Sequence, residues 1–95
     1  MKKLSQEEIE RKVGLLENWD YIDNAIETNL AFESFTDCFT TMTRIAFEAE
    51  KQNHHPEWLN IYTKLSIRLS THDAGGVTER DFKLARSIED LITGV

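Results

Sequence analysis

The sequence predicts an α+β fold: a four-stranded antiparallel sheet with three helices packed on one face, in the order α-β-β-α-β-β-α. Three observations predict it. Three segments carry apolar residues at helical spacing, and two regions alternate apolar and polar residues with period 2. Within those two regions the strands lie too close in sequence for anything but hairpin links, and hairpins make antiparallel sheets. The 95 residues suffice for one modest core, so positions 1–95 read as a single domain.

Ser5 with Glu8 forms a capping box, and Leu4, Ile9, Val13 and Leu16 supply the apolar points of a first helix that stops near Gly14. Trp19 to Ile22 reads as a short strand. Asp23-Asn24 is turn chemistry, since both side chains bond the local backbone and tolerate unusual angles. From Ala25 to Phe32 the chain alternates, with Ile26, Thr28, Leu30 and Phe32 on one face and Glu27 and Asn29 on the other. Ser34 with Asp37 opens the second helix. Its apolar stripe of Phe35, Phe39, Met42, Ala46 and Ala49 is widened by Cys38, Ile45 and Phe47, enough to pack on both the sheet and a partner chain. Pro56 disfavours helix at His55, so this helix ends near Asn53.

Residues 59 to 71 alternate almost without a slip: Leu59, Ile61, Thr63, Leu65, Ile67, Leu69 and Thr71 share one phase. The usual strand length of about 5–6 residues divides this stretch into two strands with a turn near Tyr62-Thr63-Lys64. Gly75-Gly76 reads as a flexible loop. Thr78 with Asp81 then caps a third helix carrying Phe82, Ala85, Ile88 and Leu91 or Ile92.

Composition narrows the function. With 17 acidic and 11 basic residues the net charge is -6, which repels a phosphate backbone and argues against direct nucleic-acid binding. Cys38 is the single cysteine, so no internal disulfide forms, as suits a reducing compartment. Met1-Lys2-Lys3-Leu4-Ser5 runs straight into an acidic segment, and no stretch approaches the about 20 apolar residues of a membrane span. The expectation is a soluble, cytoplasmic protein that does not engage membranes.

All three histidines, His54, His55 and His72, fall in or beside loops, two after a helix end and one after a strand. Histidine both donates and accepts protons near neutral pH, which acid–base catalysis requires. Glu50 lies four residues before His54, about one helical turn, where its carboxylate reaches an imidazole. Ser70 and His72 share the polar phase of the fourth strand, with Thr71 and Asp73 beside them, and such groups suit a flat polar heterocycle. Plainer readings stand beside these. His-His-Pro is also a solvated turn, Glu50 a helix-face charge, Trp58 and Tyr62 packing residues, Asp81 a helix cap and Cys38 an inert core thiol. Three histidines with Glu50, Asp73 or Asp81 also supply enough ligands for zinc, but no His-x-x-x-His or Cys-x-x-Cys pair puts two on one face.

Glu50, three residues, His54-His55-Pro56, then Tyr62, His72 and Asp81 resemble the signature of the pterin-4a-carbinolamine dehydratases. Five residues separate Pro56 from Tyr62, nine separate Tyr62 from His72 and eight separate His72 from Asp81, which is the family's spacing. Met42-Thr43-Arg44, Ala49-Glu50-Lys51, Glu57-Trp58 and Thr78-Glu79-Arg80 add to the likeness, which is dense from about Phe35 to Leu91. The resemblance implies the same sheet and helices. It also implies dehydration of a 4a-hydroxytetrahydropterin to the quinonoid dihydropterin, the recycling step after aromatic amino-acid hydroxylation.

By position, the resemblance implies a catalytic set of His54, His55 and His72, with His54 and His72 as the acid–base pair and His55 mainly holding the pterin. Asn53, His54, His55, Ser70, Thr71, His72 and Asp73 would contact the ring, supported by Glu50, Pro56, Trp58 and Asp81. No metal and no organic cofactor is implied, and the chain is expected as a homodimer or homotetramer. Asn53 stands where some relatives have Asp, and Asp73 where some have Glu. The alternative is a non-catalytic pterin-binding or regulatory module that assists a partner protein.

Overall fold

A computed structural model of the protein describes residues 2–93; Met1, where the N-terminal reading above begins, and Gly94 and Val95 lie outside the described residues. The elements run α1 (Gln6–Val13), β1 (Asp20–Ile22), β2 (Ala25–Ala31), α2 (Phe35–Gln52), β3 (Glu57–Ile61), β4 (Lys64–Leu69), a 3-10 turn (His72–Ala74) and α3 (Glu79–Thr93). The four strands are antiparallel in the order β1-β2-β4-β3. The expected α+β architecture is therefore present, with the 3-10 turn as an addition.

Local chemistry sets the element ends. Both halves of the Ser5–Glu8 capping box form, and the Ser5 backbone N–H, followed by its hydroxyl, holds the Glu8 carboxyl below its ordinary value. Ser34 accepts from the Asp37 N–H at 3.0 Å to start α2. Asp23 and Asn24 both take positive φ in the β1–β2 turn, as their side chains permit.

The core lies between the helices and one sheet face. Ile26 of β2 and Leu65, Ile67 and Leu69 of β4 meet Ile9 of α1, Ile45 and Ala49 of α2, and Phe82, Leu84, Ala85 and Ile88 of α3. Across β2 and β4 the other sheet face carries polar pairs: Ser66 donates to Asn29 at 2.7 Å, and Arg68 pairs with Glu27. Trp19 is buried just before β1, where its indole N–H donates to Glu89 at 2.5 Å. No helix among the described residues is long and apolar enough to cross a membrane.

The structure corrects one sequence reading of the apolar pattern and sharpens two others. The two-residue link Tyr62-Thr63 pairs Ile61 with Lys64 and Leu59 with Ser66, so the phase inverts between β3 and β4. Leu59 and Ile61 therefore lie on the outer sheet face, 60% and 64% exposed, rather than in phase with Leu65 and Ile67. Trp58 and Asn60 face the helices instead. No glycine marks this turn because Asn60 holds it, its amide donating to the Tyr62 and Lys64 carbonyls at 3.1 and 2.9 Å. Second, Phe35, Phe39, Ala46 and Phe47 of the α2 stripe are exposed, and only Cys38, Ile45 and Ala49 are buried. Burial pushes the Cys38 thiol up, as befits an inert core group. Third, Leu91 rather than Ile92 turns inward from α3.

Candidate active site

Two helix ends meet where the histidines lie. At the end of α2 the His54 N–H bonds to the Ala49 carbonyl at 3.0 Å and the Asn53 N–H to the Glu50 carbonyl at 3.1 Å. This paired closure needs a left-handed residue, and Asn53 supplies it with φ 51° and ψ 44°. The reversal sends His54 inward and leaves His55 outside. Pro56 then commits the chain to β3, with Trp58 half-buried against the core.

His54 is 8% exposed, and its Nε2 lies 2.5 Å from Asp81 Oδ1. Asp81, fully buried in the first turn of α3, also accepts from the Thr78 N–H at 2.8 Å and the Thr71 hydroxyl at 2.9 Å. It is therefore both the helix cap that its spacing suggests and the partner of a histidine. An acidic side chain is the type that a helix N-terminus stabilises. Because an ionised carboxylate only accepts, a neutral His54 in this contact carries its hydrogen on Nε2 and leaves Nδ1 without one.

Glu50 does not reach His54. The left-handed turn at Asn53 carries His54 away from the helix face, and Glu50 instead pairs with His55 at 2.7 Å, both side chains largely exposed. His72 is not a strand residue: β4 stops at Leu69, and Thr71 and Gly76 bridge the base of a loop whose 3-10 turn begins at His72. Gly75 ends that turn at φ 75°, a conformation open to glycine. The loop is held rather than loose, because Asn24 donates to the Gly75 carbonyl at 2.8 Å and Gly76 is buried. The His72 ring is exposed and has no hydrogen-bond partner among the described residues.

Asn53, His54, His55, Ser70, Thr71, His72 and Asp73 line one open cleft of about 330 Å³, together with Arg80. The seven residues expected to contact a ring are thus brought together. Two details differ from expectation. The Thr71 hydroxyl is committed to Asp81 behind the cleft, so it does not present a free donor to it. Arg80 is a wall that the sequence reading left out, its guanidinium donating to the Asn53 carbonyl at 2.8 Å and so tying α3 to the end of α2. Pro56 and Trp58 line a neighbouring groove of about 450 Å³ that opens beside His55 between α2 and β3. No group of three His, Cys, Asp or Glu side chains among the described residues is placed to hold a metal ion.

Such a cleft holds two imidazoles, one backed by a buried carboxylate and one with no hydrogen-bond partner among the described residues. Two imidazoles in one cleft are able to donate and accept protons near neutral pH. Comparisons with known proteins point to one family. The sequence model of the family described as "Pterin 4 alpha carbinolamine dehydratase" matches residues 2–91. A protein of Christiangramia forsetii named "Putative pterin-4-alpha-carbinolamine dehydratase" is 58% identical over 92 residues, covering 97% of this chain and 95% of that one. A protein of Opitutus terrae with the same name is 46% identical over 89 residues, 93% of this chain and 92% of its own. Among solved structures, a Brucella melitensis protein described as "transcriptional coactivator/pterin dehydratase" superposes with a TM-score of 0.92 at 36% identity, covering 95% of this chain and 98% of that one.

Proposed function

Because this chain belongs to the pterin 4 alpha carbinolamine dehydratase family, we propose that it dehydrates 4a-hydroxytetrahydrobiopterin to quinonoid dihydrobiopterin in tetrahydrobiopterin recycling, as a cytoplasmic enzyme. The observation that carries this reading is the cleft in which His54 and His72 face one space, with His54 backed by Asp81. In the reaction the C4a–O bond breaks, a proton joins the departing hydroxyl to give water, and the ring-nitrogen proton leaves as the C=N bond forms. One proton enters and one departs, so two imidazoles suffice and no metal or organic cofactor takes part. His54 and His72 form the acid–base pair. His55, held by Glu50, grips the ring with Asn53, Ser70 and Asp73, while Pro56 and Trp58 shape the rim. The whole chain acts as one catalytic domain.

Purified protein is expected to accelerate the loss of a freshly generated 4a-hydroxytetrahydropterin, followed by its ultraviolet absorbance. A rate equal to that of buffer would end the dehydratase reading. A second reading has its own support in the coactivator description of the Brucella protein: a pterin-binding or regulatory module that assists a partner. It gains if a reduced pterin binds without turnover.

We further propose that the chain assembles as a homodimer or homotetramer. Phe39 and Phe47 of α2 are 54% and 74% exposed, Leu59 and Ile61 add apolar surface, and β3 is an edge strand with one side unpaired. Apolar side chains gathered beside an open strand edge call for a cover. Sedimentation equilibrium at micromolar concentration is expected to give a dimer or tetramer mass; a monomer throughout would refute the assembly.

A further inference from the structure

The proton position on His54 is set from behind the cleft. Asp81 Oδ2 receives two donors, the Thr78 N–H at 2.8 Å and the Thr71 hydroxyl at 2.9 Å. The Thr71 and Thr78 hydroxyls lie 2.7 Å apart, and Thr78 Oγ1 accepts from the Arg80 N–H at 3.2 Å. Each hydroxyl has one proton to give. The Thr71 proton goes to Asp81, so the bond between the two threonines must be filled by the proton of Thr78. Direction is then fixed along the whole chain, from the Arg80 amide through Thr78 and Thr71 to Oδ2. Oδ1 remains as the acceptor for His54 Nε2–H.

We propose that Thr71 and Thr78 are positioning residues of the candidate active site, a buried hydroxyl relay that locks the Asp81 carboxylate and so keeps His54 Nδ1 free for the cleft. Neither acts on the substrate directly: Thr78 is fully buried and Thr71 is 6% exposed, its hydroxyl turned away. A carboxylate gripped at Oδ2 by two donors cannot rotate about its own bond. Gripped by one, it swings, and its hold on the imidazole loosens. The catalytic consequence rests on the dehydratase reading; the state of the His54 ring does not.

The test is nitrogen-15 NMR of histidine-labelled, substrate-free protein, above the imidazole titration, beside steady-state kinetics. Wild-type His54 is expected as a single Nε2–H tautomer with a slowly exchanging proton. In Thr71→Val that proton should exchange faster with solvent, and kcat should fall about 10-fold, the scale of one hydrogen bond to a charged group. KM should stay within about twofold on the same argument, and Thr71→Ser should restore both readouts. Thr78→Ala should move them in the same direction by less. A wild-type His54 protonated at Nδ1 overturns the proposal without any variant, which covers a Thr71→Val chain that fails to fold. So does a raised KM in Thr71→Val with an unchanged His54 signal, since that would set Thr71 against the substrate. Wild-type protein that turns over no pterin, yet shows the expected tautomer, would defeat the dehydratase reading and leave the relay standing.

Discussion

Alanine at position 54 is expected to lower kcat by about 100-fold or more, the usual share of a positioned acid or base. Alanine at position 72 should do the same, yet the two variants should differ in stability. His54 is nearly buried and its removal leaves Asp81 Oδ1 facing a void, a loss of about 1–3 kcal/mol for an orphaned buried acceptor. Against a total of about 5–15 kcal/mol that lowers the melting temperature without unfolding the protein. His72 is exposed and has no partner among the described residues, so its alanine variant should melt as wild type does. The measurement is kcat for consumption of the 4a-hydroxy intermediate, paired with a thermal melt. If both variants keep kcat within about twofold of wild type, the two imidazoles are not an acid–base pair.

Much of the frame was legible because its signals are local. The Ser5–Glu8 box, the Ser34 cap and the stop near Asn53 depend on residues within one turn of each other, and each falls where the spacing puts it. The β3–β4 hairpin was harder. Its alternation runs unbroken from Leu59 to Thr71, and only the two-residue link reveals that the phase inverts. Nothing in the composition of Tyr62-Thr63 announces a turn, because the amide that holds it belongs to Asn60, inside the strand. Exposed Leu59 and Ile61 misled for a second reason. An apolar residue left on the surface has the same hydropathy as one in the core.

The site was legible as a set of residues and illegible as a set of contacts. Seven residues from two segments line one cleft, but their partners follow from backbone conformation rather than from spacing. Four residues along a helix would bring Glu50 to His54; one left-handed residue at Asn53 brings it to His55. Arg80 had a usable signal, since it sits beside Asp81 in the first turn of α3 and within the matched Thr78-Glu79-Arg80 run. What it holds, the Asn53 carbonyl, lies across the fold and only the structure supplies it. Asp81 read as a helix cap by spacing, and it is one. A carboxylate has two oxygens, and Oδ1 is the one that reaches His54.

That division of labour makes asparagine at position 81 the most damaging of the shape-preserving changes, with kcat expected to fall by up to about 100-fold, approaching but not exceeding the loss of the imidazole that the carboxylate orients. The Oδ2 end is fixed by two donors, Thr78 N–H and Thr71 O–H, and only the amide oxygen can accept both. The amide nitrogen must then face His54 Nε2, which becomes an acceptor and sends its hydrogen to Nδ1. His54 now shows the cleft an N–H where it needs a lone pair, and a neutral amide gives an imidazolium no counter-charge. The helix cap survives, so the melting temperature should move by the equivalent of about 1 kcal/mol or less, whereas Asp81→Ala strands the same donors and should cost about 1–3 kcal/mol. Nitrogen-15 spectra of Asp81→Asn should report the Nδ1–H tautomer beside a near-wild-type melt. Wild-type kcat in that variant would mean that the carboxylate caps α3 and does nothing for the histidine.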